Sequence, residues 1–292
     1  MIAAVTARAF QVVSELAPEG VEVRQLPDGR EDAEFIVPGW EDRETIEALP
    51  GLERLRVVQA LSAGTDWIES RVPDWVTLCN ARGARDAAVA EWVVGALLGD
   101  HYGQFAVAGE RRWSYFQPRE LLGATVLIAG FGSIGRAVAA RLEPFGVSVI
   151  GVARTARDGV HGTDELPELL AQADAVVVLT PLSPETSGLF DAALLGRMRD
   201  GALFVNAGRG AVVDTDALVA ELRSGRLRAV LDVVDPEPLP DGHPLWELAL
   251  AITPHNAGDT PAADERAVRL AAEQLVRHAH GEPLLNVVRA GA

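Results

Sequence analysis

The apolar run Val126-Leu127-Ile128-Ala129 passes without a break into Gly130-Phe131-Gly132-Ser133-Ile134-Gly135, and an Ala/Val/Leu-rich helical pattern follows as far as Leu142. A buried strand, a tight turn and a helix start, in that order, constrain the fold more than any other stretch. They bring backbone N–H groups and the positive end of a helix dipole to one point, a geometry that holds a pyrophosphate. Gly130 permits the turn, Gly132 lets the backbone approach phosphates, and Gly135 lets the helix lie close on its strand. A glycine-rich turn with no ligand is the bland alternative; the strand before and the helix after argue against it.

Alternation continues on both sides of this turn. Apolar runs at 126–129, 147–152, 175–179, 202–206, 228–233 and 250–253 read as strands, with helical patterns between most of them. Such alternation predicts a parallel, doubly wound sheet. Earlier in the chain, 34–37, 55–61 and 76–80 read as strands of shorter β/α units. A helical pattern from Ala87 through Leu98 then leads to a loop holding Trp113 and Tyr115. After Pro261 a helix over about 262–280 is placed to complete the first domain. The predicted class is α/β, with two Rossmann-like domains of doubly wound parallel sheets and a cleft between them. The dinucleotide-binding domain, 95–261, is inserted into a substrate (catalytic) domain formed by 1–94 plus 262–292.

Composition narrows the function. A chain of 292 residues with 48% hydrophobic content supports two ordered domains. The single cysteine, Cys79, excludes a disulfide framework and a cysteine metal site, and no metal is expected. With no basic leader and no spanning apolar run, the expected location is the cytoplasm. A net charge of −16, spread along the chain, excludes nucleic acid and anionic membrane surfaces as bulk partners. All 26 basic residues are arginine, so neither a Schiff-base lysine nor a P-loop lysine exists here.

Chemistry-bearing residues gather after the predicted strands of the second set, where open α/β sheets bind ligands. Thr180-Pro181-Leu182 follows one strand and Asn206-Ala207-Gly208-Arg209-Gly210 the next. Asp232 ends a third and leads into Asp235-Pro236-Glu237-Pro238, and Thr253-Pro254-His255-Asn256 follows the last. An arginine, carboxylates and a histidine thus converge on one sheet edge beside the glycine turn.

In order and spacing, these stretches resemble the D-isomer-specific 2-hydroxyacid dehydrogenase family, and within it the glyoxylate/hydroxypyruvate reductase type. The likeness rests on G-F-G-S-I-G, on T-P-L-S-P-E-T at 180–186 and on N-A-G-R-G-A-V-V-D at 206–214. L-D-V-V-D-P-E-P-L-P at 231–240, H-P-L-W at 243–246 and T-P-H at 253–255 complete it. The resemblance runs from about Gln59 to Pro283 and leaves the first 55 residues poorly matched.

It implies His255 as general acid/base, Glu237 as the partner that orients its ring and favours its charged form, and Arg209 as the group that binds and polarises the substrate. Such types suit reduction of a 2-oxo acid, in which negative charge grows on an oxygen that also needs a proton. Leu61-Ser62-Ala63-Gly64-Thr65-Asp66 resembles the family's carboxylate loop, the N–H groups of Ala63 and Gly64 forming the anion nest. Asp232 resembles the acceptor for a nicotinamide carboxamide. The coenzyme contacts so implied comprise Gly130, Phe131, Gly132, Ser133, Ile134, Gly135, Thr180, Pro181, Thr186, Ala207, Gly208, Arg209, Asp232, His255 and Gly258. A homodimer is also implied, with the helix near 87–98 and the loop to 120 at its contact. Formate enzymes of the superfamily pair the histidine with glutamine, whereas Glu237 stands here; phosphite enzymes need a lysine in the loop at 61–66. A non-catalytic, dinucleotide-sensing protein of the same fold is the alternative from another class.

Coenzyme choice is legible from the residues themselves. About 20 positions past the glycine turn, an NAD-binding unit carries an acid for the adenosine ribose. Here that place reads Gly151-Val152-Ala153-Arg154-Thr155-Ala156-Arg157, with no acid before Asp158. Ala153 leaves the acidic slot empty, Arg154 offers a planar fork to a 2′-phosphate, and Thr155 and Arg157 can assist. NADP(H) is therefore expected in preference to NAD(H).

Overall fold

The computed structural model describes residues 1–107, 113 and 115–291, arranged as two compact units, Met1–Arg85 with Asp259–Ala292, and Asp86–Gly258. In the first unit the strands are β1 (Ile2–Val5), β2 (Glu22–Gln25), β3 (Phe35–Val37), β4 (Val57–Gln59) and β5 (Thr77–Cys79). All three residues of β3 are fully buried, as expected of a strand covered on both faces.

The second unit begins with the helix Asp86–His101 and builds β6 (Thr125–Ala129), β7 (Ser148–Ala153), β8 (His161–Gly162), β9 (Ala175–Val178), β10 (Leu203–Asn206), β11 (Arg228–Leu231) and β12 (Ala251–Ile252). These seven pair in the order β12-β11-β10-β9-β6-β7-β8, every pair parallel. Successive residues of a strand face opposite sides, and the burial follows that rule. Leu127, Val176, Phe204 and Leu231 join one cluster, while Val126, Ile128, Val177 and Val205 join the other. Phe190 meets Phe204 edge-on at 5.6 Å in the first of these.

The chain then returns to the first unit with the helix Pro261–His280. Its start is written in the sequence: the Thr260 hydroxyl accepts the Ala263 N–H at 3.2 Å, and Pro261 needs no donor in the first turn. Gly281, at φ +66°, ends it. A last strand, β13 (Val287–Arg289), pairs antiparallel with β5, giving the order β13-β5-β4-β3-β1-β2. Among the described residues no helix is long and apolar enough to cross a membrane.

Several expectations need correction. The first sheet is not wholly parallel, because β13 runs against it. Strands β1, β2, β8 and β13 were not expected: β1 is a short apolar run inside the sheet, β2 and β13 are edges with exposed residues, and β8 has only two residues. The boundary lies at 85/86, not 94/95, because the helix Asp86–His101 packs Val89, Val93 and Leu97 against the second sheet. It returns at 258/259 instead of 261/262. Trp113 and Tyr115 are exposed, and residues 108–112 and 114 of the loop expected at a dimer contact lie outside the described residues.

Buried titratable groups report on the packing. Burial pushes the Cys79 thiol up to about 11, against a weaker pull from the Gln274 amide. Burial also lowers His101, although its ring bonds the Leu97 carbonyl at 3.0 Å. Burial lowers His278 likewise, beside Phe35 at a ring separation of 5.9 Å. Both histidines are thus held below 6.5, so the unfolded chain binds more protons than the folded one as pH falls past that value. Their contribution is fully present above about pH 6.5 and is lost as pH falls toward the depressed values. The melting temperature should therefore drop between pH 7 and 5, before carboxylates titrate, and His278→Gln should flatten that slope. An unchanged slope in the variant would show that His278 titrates normally.

Candidate active site

The winding of the seven-stranded sheet reverses at β6. The chain passes outward through β7 and β8, then resumes at β9 on the other side, opening a crevice at the carboxyl ends of β6 and β9. Gly130 sits there at φ +98°, where a Cβ would lie 2.5 Å from the Leu179 carbonyl carbon and 2.6 Å from the Thr180 nitrogen. The Gly130 and Phe131 N–H groups both donate to Val152 O at 2.9 Å, tying the turn to β7. The helical ladder of Ser133–Leu142 opens with the Arg136 N–H on Gly132 O at 3.1 Å. The N–H groups of Ser133, Ile134 and Gly135 precede that ladder, as the first turn of any helix does. Nothing lies within 4 Å of a Cβ built on Gly132, whereas one on Gly135 would press on Gly130 O at 2.9 Å. An open backbone approach, first-turn donors and a close-packed helix fit a dinucleotide pyrophosphate.

The Phe131 ring lies over Gly151 of β7, where a Cβ would approach it to 2.7 Å. Ala153, the last residue of β7, is half-buried, and beyond it Arg154, Thr155 and Arg157 are exposed. Arg157 bends back, its guanidinium donating to Phe131 O at 2.7 Å, while its backbone exchanges two hydrogen bonds with Val160. Arg154 lies near Glu185, whose carboxyl is held below its usual range chiefly by the Ser183 hydroxyl, with Arg154 adding to the pull. Thr186 closes the loop after β9: its hydroxyl donates to Pro181 O at 2.7 Å and accepts the Ser183 N–H at 2.7 Å.

Beyond β10 the chain turns through Asn206-Ala207-Gly208-Arg209-Gly210. The Asn206 side chain accepts the Gly208 N–H at 3.0 Å and donates to Arg209 O at 3.1 Å, bracketing the turn. A Cβ on Gly208 would press on Thr180 O at 2.8 Å, and one on Gly210 would overlap the Val234 carbonyl. The Arg209 guanidinium donates to Gly208 O at 2.8 Å.

After β11 and β12, Asp232, Glu237 and His255 come together. His255 Nδ1 lies 2.6 Å from Glu237 Oε1, with each side chain a little under half exposed. His255 has φ +53°, a left-handed backbone rare for a residue with a side chain. Asp232 is 4% exposed and accepts hydrogen bonds from the Thr253–Ala257 turn. Gly258 ends this unit.

Ala63 and Gly64 belong to the first unit, in the loop after β4. Its carbonyls are occupied: Asn80 donates to Ala63 O at 2.7 Å, and Ser62 and Trp67 donate to Gly64 O. The N–H groups of Ala63 and Gly64 have no acceptor among the described residues, as an anion nest requires. Sequence reasoning missed Asn206 and Thr253 as shaping residues; their one signal is a polar side chain directly after an apolar run.

A family model described as D-isomer specific 2-hydroxyacid dehydrogenase, NAD binding domain, matches residues 101–257. The chain belongs to that family. D-isomer specific 2-hydroxyacid dehydrogenases are oxidoreductases, and the Rossmann unit here is their site for a nicotinamide dinucleotide. D-3-phosphoglycerate dehydrogenase of Methanocaldococcus jannaschii is 31% identical over 92% of this chain, which spans only 54% of that protein's length. A D-isomer specific 2-hydroxyacid dehydrogenase from Xanthobacter autotrophicus Py2, solved with NADPH and MES, is 32% identical with a TM-score of 0.84 over 98% of this chain and 97% of that one. An NADPH-dependent glyoxylate/hydroxypyruvate reductase from Sinorhizobium meliloti, solved with NADP and sulfate, is 28% identical with a TM-score of 0.83 over 98% of each chain.

Proposed function

We propose that this chain is an NADPH-dependent reductase of small 2-oxo acids such as glyoxylate or hydroxypyruvate, forming D-2-hydroxy acids. The observation that carries the reading is the 2.6 Å contact between Glu237 and His255 on the sheet edge that also presents the dinucleotide turn. A bound nicotinamide dinucleotide supplies the hydride. His255 gives the proton: Glu237 takes Nδ1–H, which fixes the ring and leaves Nε2 to face the substrate. Arg209, on a turn braced by Asn206, stabilises negative charge growing on the carbonyl oxygen. In the first unit the Ala63 and Gly64 N–H groups suit a carboxylate.

The test is loss of NADPH absorbance with glyoxylate, hydroxypyruvate, pyruvate and a phenylpyruvate, with formate and phosphite run in the oxidative direction. His255→Ala should lower kcat by about 10²–10⁴, the usual worth of a positioned acid. Near-normal turnover in that variant removes the assignment, and tight NADPH binding with no turnover of any substrate favours a dinucleotide-sensing protein.

Arg154 and the absence of an acid at Ala153 support the coenzyme preference. NADPH should exceed NADH by at least about tenfold in kcat/KM, equal to one charge-assisted contact of about 1.4 kcal/mol. Arg154→Ala should erase most of that difference; equal use of both coenzymes by the unaltered enzyme would show that Arg154 does not read the phosphate. A homodimer is the expected assembly, on the family resemblance, and light scattering at micromolar concentration should return twice the chain mass. A monomeric mass there would exclude it.

A further inference from the structure

We infer that Asp232 is a positioning residue for His255, fixing the Thr253–Ala257 turn and through it the direction of the imidazole; the inference rests on His255 being the proton donor. Asp232 follows β11 directly, and its carboxylate is almost wholly buried. Oδ1 accepts the Thr253 hydroxyl at 2.5 Å, the Asn256 N–H at 3.0 Å and the Ala257 N–H at 3.1 Å, and Oδ2 shares the Ala257 N–H at 3.1 Å. The backbone of Asp232 grips the same turn, since the His255 N–H donates to Asp232 O at 2.8 Å. Asp232 is itself anchored to the sheet, its N–H donating to Asn206 O at 2.8 Å.

His255 is thus bracketed by donors on both sides, at Thr253 and at Asn256 and Ala257, that end on one carboxylate. Its left-handed backbone persists because this frame over-determines it. In a relaxed turn the residue would leave that region, and the 2.6 Å approach of Nδ1 to Glu237 would go with it. The carboxamide role suggested by the family resemblance uses a different part of the group. Oδ1 is committed to three donors, while Oδ2 holds one shared bond and keeps capacity for another. Loss of the charge should therefore reach the histidine even when no coenzyme is bound.

The experiment compares Asp232→Asn, Thr253→Val and Glu237→Gln, alone and with Asp232→Asn joined to Glu237→Gln. In the ligand-free protein, ¹⁵N spectra of the histidine rings, with His255 assigned by its loss in His255→Gln, should show proton occupancy fixed at Nδ1. In Asp232→Asn and Glu237→Gln the ring should exchange between tautomers, and Thr253→Val should move it part of the way. In turnover with NADPH, Asp232→Asn should lower kcat about 10- to 10²-fold, the scale of a misplaced catalytic group. The double variant should be no slower than the slower single one. An unmoved His255 spectrum with a loss confined to the KM for NADPH overturns the inference, and so does full additivity. Should Asp232→Asn not fold, a folded Thr253→Val with wild-type ring spectra overturns it too. Normal turnover in His255→Ala would instead refute the proton-donor reading and leave the ring comparison standing.

Discussion

Backbone-to-backbone contact at the carboxyl edge of the seven-stranded sheet is the constraint on which the candidate site depends. The turn after β6 touches the chain after β9, because Gly130 has no Cβ to hold Leu179 and Thr180 away. The turn after β10 touches the same segment through Gly208, and Gly210 meets the Val234 carbonyl beyond β11. Four successive loops therefore interlock without side chains between them. The side chains proposed to carry chemistry, Arg209 and Glu237 among them, stand on a frame with little room to shift. The two apolar layers beneath keep the strands in register, and the dense packing of such interiors passes little slack to the edge.

Polar groups complete what the glycines begin. Asn206 ends β10 and turns its side chain on the loop that follows, while Asp232, just past β11, turns its carboxylate on the Thr253–Ala257 turn beyond β12. Each satisfies N–H groups that a tight turn strands away from the sheet ladder, which is the general requirement on buried backbone. The edge is therefore ordered by amide and carboxylate acceptors as much as by apolar burial.

The second unit was legible in the sequence because its central strands carry apolar runs that alternate with helical stretches. Val126–Ala129 or Ala175–Val178 can be little else. The loops carrying Arg209, Glu237 and His255 were found by following each such run to its end. The first unit was less clear for a physical reason: β2 and β13 lie at sheet edges, where one flank faces water and alternation fades. The left-handed backbone of His255 left no trace, and the carboxylate bonded to its turn, Asp232, stands 23 positions away in the sequence. Arg157 shows the same limit. Its charge was visible, but not that its guanidinium rests on Phe131 O.

The buried thiol of Cys79 takes on a further meaning beside the missing lysines. Small 2-oxo acids and aldehydes are electrophiles that condense with unprotonated primary amines and add to thiolates. This chain has no side-chain amine at all, and its one thiol is walled into β5 with a pKa of about 11. Guanidinium groups, protonated at any physiological pH, supply all its fixed positive charge. The side chains of such a protein offer no amine for imine formation and only a poorly ionised thiol for hemithioacetal formation.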